Sequence, residues 1–175
     1  MWVTDIILKR ESVVKHDNIK DNKDFSRLVG ELREHDNFKK LKSYIQHGNI
    51  STYTHSIRVA KRSFDISRRF KLKINEKELL KGALLHDYFL YDWHTHGDKL
   101  HGYHHPHIAL KNAGRDFGLT GKEKNIIKSH MWPLTLTQVP RSKEAVLVCI
   151  ADKICSAEET MKKDREKLKE LYILR

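Results

Sequence analysis

The run Ala83-Leu84-Leu85-His86-Asp87 ends three apolar residues on an imidazole beside a carboxylate. A charge at the end of such a run is costly unless it is paired or bound to a metal, so Asp87 needs a partner. His55 precedes His86 by 31 residues, and Asp152 follows Asp87 by 65, closing a second apolar run that begins at Ala145. Two further histidines, His105 and His130, fall between the His-Asp pair and Asp152. Taken alone, His55 reads as a satisfied core histidine. The pair downstream turns it into a candidate ligand.

The pattern His55, His86-Asp87, Asp152 resembles the HD-domain superfamily of metal-dependent phosphohydrolases, over about Ile50 to Glu159. With His105 and His130 added, it is similar to the subset that holds two metals. The resemblance implies an all-α, single compact helical domain and a bridging carboxylate at Asp87. It also implies one metal shell completed by His55, His86 and Asp152, and a second held by His105 and His130. Two divalent ions about 3.5 to 4 Å apart can activate water near neutral pH and clamp phosphoryl oxygens. Four neutral imidazoles and two carboxylates leave such a pair of ions net positive, which suits a phosphate. Nitrogen and oxygen donors without thiolate fit iron, manganese, cobalt, nickel or zinc, and the sequence does not choose among them. In some two-metal members a His-His pair stands where this chain has His130-Met131. The Gly-Tyr-Pro motif of many bacterial signalling members is missing after the HD pair, so cyclic-dinucleotide hydrolysis is not the expected activity.

The elements that would position these residues follow from periodicity and capping. Asp24 can cap a helix to about Glu34 that buries Phe25, Leu28, Val29 and Leu32, and a second helix is expected from Phe38 to His47, stopped by Gly48. Tyr53, Ile57, Ala60 and Phe64 repeat at helical spacing, placing His55 on the neighbouring strip with Val59, Arg62 and Ile66. Arg58 lies one turn beyond His55 and could reach a phosphate, or serve as an ordinary surface arginine. Asn75-Glu76-Lys77-Glu78 resembles a capping box opening the helix that delivers His86 and Asp87. Proline favours the first helical position, so Pro106 places His105 at the cap of a helix through Phe117; His105 is the expected ligand there, with His104 as the alternative and a substrate contact otherwise. Thr120-Gly121-Lys122-Glu123 is a second capping box, and its helix carries Ile126, Ile127 and His130 on one face. Pro133 ends that helix and opens an extended linker to Pro140, a candidate cleft wall with Trp132 as a stacking surface. The apolar run Ala145 to Ala151 marks a helix buried on most sides, with Asp152 facing inward and Lys153 paired to it, bound to a phosphate, or solvent-facing.

Residues 88–103 form a loop rich in aromatic rings and histidine, suited to stacking on a nucleobase or closing over a site, and equally to a small aromatic core. His94, His96 and His101 are expected on the substrate side or exposed. Residues 1–49 are expected to be a helical appendage on a hydrolase domain at 50–160, followed by a charged helix at 161–175. The stripe Leu168, Leu171 and Tyr172 on that last helix can dock on the body or on a second subunit of a homodimer.

A chain of 175 residues is most simply one domain. Thirty-four Lys and Arg against 23 Asp and Glu give a net charge of +11, which is either a solvated basic surface or an attraction for a phosphorylated small molecule or nucleic acid. The two cysteines, Cys149 and Cys155, have neither redox-motif nor zinc-knuckle spacing and fit a reducing compartment. The start lacks a signal-peptide pattern and no apolar run approaches the ~20 residues that span a bilayer; the expected location is the cytoplasm. The leading expectation is hydrolysis of a nucleotide or other small phosphate ester or anhydride by a metal-activated hydroxide. The alternatives are a di-iron oxygenase built on the same ligand set and a non-catalytic nucleotide or nucleic-acid-binding module. The last lacks the interleaved aromatic and basic platform of RNA-binding domains.

Overall fold

The computed structural model describes residues 23–173, with side chains described as far as Met161. The sequence-based appendage at the extreme N-terminus and the stripe Leu168, Leu171 and Tyr172 lie outside the described residues and side chains. Within them the regular elements are helices, joined by turns and loops, except for one short hairpin. The element order is α1 (Lys23–Glu34), α2 (Asp36–Lys40), β1 (Ile45–His47), β2 (Ile50–Ser51), α3 (Thr52–Arg69), α4 (Glu76–Leu85), α5 (His101–Phe117), α6 (Gly121–Ser129) and α7 (Lys143–Ile173).

Helix α4 is the axis of the bundle. Its Leu79, Leu80, Gly82, Ala83, Leu84 and Leu85 are all buried, so it has an apolar surface on nearly every side and packs against α1, α3, α6 and α7. Asn75 caps it by accepting the Glu78 N–H, and its C-terminal end delivers His86 and Asp87 to the centre of the molecule. Helix α3, capped by Ser51, and α7 flank it, while α6 begins in a complete capping box between Thr120 and Glu123. Expected buried positions of α1 are the ones observed: Phe25, Leu28, Val29 and Leu32.

Three local expectations are corrected. The second helix stops at Lys40 instead of His47, and Ile45–His47 pairs antiparallel with Ile50–Ser51. The β-branched Ile45 and Ile50 favour extended backbone, Gly48 turns the chain at φ 62°, and Tyr44 accepts the Thr52 N–H, fastening the hairpin to the start of α3. Helix α5 begins at His101, so Pro106 lies inside it and His105 is a helical residue, not a cap. Asp98 explains the early start: its carboxylate accepts the Leu100 N–H and pairs with His104, holding the first turn in place. The linker after His130 is a series of turns, with Thr135 N–H donating to Met131 and Gln138 N–H to Thr135, and not an extended strand. On α7 the apolar run from Ala145 is buried on most sides, as expected, with Val146 and Ile150, 44% and 45% exposed, on its one open face.

The close approach of α4 to α6 depends on one glycine. A Cβ at Gly82 would lie 2.7 Å from two side-chain carbons of Ile126 and 2.9 Å from a third. Gly82→Ala is therefore expected to lower unfolding free energy by about 1–3 kcal/mol, the usual cost of overpacking a core, despite alanine's better helix propensity. Urea denaturation of the two proteins would read this; equal midpoints would show that the helices separate without cost.

Candidate metal centre

Three helix ends and two helix faces converge below the aromatic loop. His86 is the C-cap of α4 and His130 the C-cap of α6. His55 comes from the first turn of α3, His105 from α5 and Asp152 from α7. Every one of these side chains is nearly sealed from solvent, with relative exposures from 0% at His55 to 6% at Asp152.

The outer nitrogen of each imidazole is committed. Nδ1–H of His86 donates to the Ala83 carbonyl at 2.8 Å, that of His105 to His101 at 2.8 Å and that of His130 to Ile127 at 2.7 Å. Carbonyl oxygens only accept, so these rings carry their proton on Nδ1 and turn Nε2 inward. Nδ1 of His55 donates to Glu159 at 2.9 Å, a carboxylate that orients the ring in the same way.

At the centre the two oxygens of Asp87 face different halves of the cluster. Oδ2 lies 3.2 Å from His86 Nε2 and 3.7 Å from His55 Nε2, while Oδ1 lies 3.2 Å from His105 Nε2 and 3.4 Å from His130 Nε2. Asp152 Oδ1 closes the first half, 3.1 Å from His55 and 3.7 Å from His86. The ligand atoms of His55, His86 and Asp152, and those of His86, Asp87 and His130, each fall within 4.8 Å of one another. His105 and His130 point Nε2 at each other at 2.8 Å. With both Nδ1 atoms donating outward, two lone pairs would meet there unless a proton or a metal ion lies between them. His86 Nε2 and Asp87 Oδ1 are also buried without a hydrogen-bond partner, an arrangement proteins rarely leave uncompensated. These orphaned donors fit divalent cations.

The protonation pattern agrees. Burial pushes the His55 imidazole down, but hydrogen bonds to Asp152 and Glu159 outweigh it and hold its pKa up at about 9. Burial opposes the charged form of His86 too, yet the Asp87 carboxylate raises it. Asp87 and Asp152 are held well below the ordinary carboxylate range, burial notwithstanding: the neighbouring His86 acts on Asp87, and the imidazoles of His55 and His86 act on Asp152. His130, where burial dominates, is pushed down and stays neutral. Protons on His55 and His86 supply the positive charge that the two carboxylates require.

The HD-domain family profile matches residues 52–157, well over half of the chain. The chain belongs to the HD-domain superfamily. Comparisons with curated proteins and with solved structures gave no significant match.

The HD-domain cluster opens onto a cleft of about 1090 Å³, lined on one side by Trp93, His94 and His101 of the aromatic loop and α5, and on the other by Met131, Pro133 and Leu134. Lys153 lines it as well, its Nζ donating to the carbonyls of His130 at 3.0 Å and Cys149 at 3.4 Å. Other positions singled out from sequence lie elsewhere. Arg58 bonds Glu158 and Glu159 on the outer side of His55; Trp132 is exposed and outside the cleft lining, which its neighbours Met131 and Pro133 supply. His104 faces solvent beside Asp98. The aromatic loop divides between the alternatives: Tyr88 and Phe89 are core, His101 stacks between Trp93 and His105, and His94 is at the rim.

Two residues with direct contacts to the cluster went unnoticed in the sequence. Glu159 stands two turns after Asp152 on the same face of α7, a spacing that could have revealed it. Gln46, 6% exposed, donates from Nε2 to Asp87 Oδ2 at 2.7 Å; assigned to a helix, it had no reason to reach the HD pair. No helix among the described residues is long and apolar enough to cross a membrane.

The protonation pattern has a measurable sign. Because the folded protein holds His55 near 9, above its usual 6.5, this group's stabilisation is complete below pH 6.5 and lost as pH rises through 9. Contributions of Asp87 and Asp152, whose pKa values are lowered from 3.8, are present above that value and lost as pH falls below it. Metal-free protein should therefore melt progressively lower between pH 6.5 and 9.5, while a bound divalent ion, replacing the proton on His55 Nε2, should flatten that dependence. Thermal melts with chelator and with added metal would measure both; a chelated profile flat from pH 6.5 to 9.5 would contradict the proton's role.

Proposed function

We propose that this HD domain is a metal-dependent phosphohydrolase acting on a small phosphate ester or anhydride, a nucleotide among them. The observation that carries the reading is the inward-facing donor set: Nε2 of four imidazoles and the oxygens of Asp87 and Asp152, with His86 Nε2 and Asp87 Oδ1 orphaned. On this reading His55, His86, Asp152 and Asp87 would hold one divalent ion, and His105, His130 and Asp87 would hold a second. Such ions, when bound, supply Lewis acidity: they lower the pKa of water and neutralise phosphoryl oxygens.

The chain's own groups do the rest. Carbonyl anchors on Nδ1 of His86, His105 and His130, and Glu159 on His55, keep every donor atom aimed inward before a cation arrives, so little ordering remains to oppose binding. Gln46 holds the Asp87 carboxylate by Oδ2. Lys153, whose Nζ donates to the carbonyls of His130 and Cys149 at the cleft rim, supports the reading as a counter-charge for a phosphate, one that an oxygenase acting on a neutral substrate has no use for. Walls formed by Trp93 and His101 on one side and Leu134 on the other can enclose the organic part of the ester.

A screen of metal-loaded protein against nucleotides and model phosphate esters tests the reading. Asp87→Ala and Asp152→Ala should each lower kcat/KM by at least about 100-fold while helical circular dichroism stays near wild type. Oxygen consumption by iron-loaded protein with no phosphate release from any substrate would replace hydrolysis with the oxygenase reading. Metal analysis separates the two halves: His130→Ala should lose one ion and keep the other. A variant that retains wild-type stoichiometry would refute the two-ion arrangement.

A further inference from the structure

A second concavity, of about 410 Å³, lies between α6 and the turns that lead into α7. Lys122, Lys124, Lys128 and Arg141 line it together with Thr137 and Ser142, and no acidic side chain does. Lys122 is neutralised by Glu78 and Glu144 at 2.9 and 3.1 Å. Lys124, Lys128 and Arg141 have no acidic partner among the described residues. Their convergence is built: Asn125 accepts the Arg141 N–H through Oδ1 at 2.8 Å and donates from Nδ2 to the Val139 carbonyl at 3.2 Å, clamping the loop to α6 and bringing Arg141 beside the two lysines. Lys124 and Lys128, four residues apart on one helix, repel each other. Three cations without acidic partners around one hollow leave a local positive potential that draws an anion.

We propose that this hollow is a second anion site that takes an oligophosphate. Three unpaired cations exceed the ~2 negative charges of a single phosphate monoester, so their match is an anion with two or more linked phosphoryl groups. Arg141 can present a planar fork to one group and the lysines point charges to the other, with the hydroxyls of Thr137 and Ser142 at the rim. The loop that forms this site continues from Met131, Pro133 and Leu134, which line the metal cleft, so the two sites share one segment of chain while their cations differ.

Calorimetric titration of inorganic pyrophosphate into metal-free protein, at several salt concentrations, tests the site. Wild-type protein should show a binding event that weakens about tenfold in Arg141→Gln, is lost in the double variant Lys124→Gln/Lys128→Gln, and persists in Lys153→Gln, which alters only the cleft. All four positions lie at the surface or cleft rim, and unchanged circular dichroism would confirm that the variants fold. Absence of binding, loss of the event in Lys153→Gln but not in the basic-pocket variants, or equal affinity for sulfate would each overturn the proposal.

Discussion

Four imidazoles and two carboxylates, sealed from water at the middle of a small helical bundle, require positive charge between them. Neither carboxylate can remain ionised in that setting without it, because the cost of burying an unpaired charge is several kcal/mol even after relaxation. Protons on His55 and His86 meet the requirement one way; divalent ions bound to the same lone pairs would meet it another. The rest of the structure is arranged so that the lone pairs cannot turn away. Backbone carbonyls of Ala83, His101 and Ile127 hold three rings by their outer nitrogens, and Glu159 holds the fourth.

That arrangement explains the shape of the bundle. A helix end offers free carbonyls in its last turn, which is where His86 and His130 sit, each donating back to the carbonyl three residues earlier. Ending α4 and α6 at the same depth requires the two helices to lie close, and Gly82 against Ile126 permits it. The apolar surface around α4 contributes the driving force, at about 1.5–3 kcal/mol for each fully buried leucine. The core therefore stabilises the fold and also sets the separation of the donor atoms.

Much of this was legible in the sequence because helices write their spacing plainly. Asn75 and Thr120 announce helix starts, Ile126 and Ile127 fix the face of His130, and the apolar run before Asp152 fixes its direction. What stayed hidden depended on non-local or competing signals. Gln46 reaches Asp87 only because Gly48 and two β-branched residues make a hairpin where the local pattern suggested a helix. Pro106 suggested a helix start, but Asp98 captures the first turn upstream, and His105 reaches the cluster from inside the helix. Arg58 has the right spacing from His55 to approach a phosphate, yet Glu158 and Glu159, a hundred residues away in sequence, hold it on the outer surface.

The central claim is that the His105–His130 contact and the orphaned atoms of His86 and Asp87 mark places for cations. Anomalous diffraction from crystals grown with manganese or iron tests it most directly. The account predicts a strong peak on each side of Asp87, one facing Nε2 of His55 and His86 and the other facing Nε2 of His105 and His130. Saturating metal that leaves no peak in the cluster, with His105 and His130 still 2.8 Å apart, would contradict it.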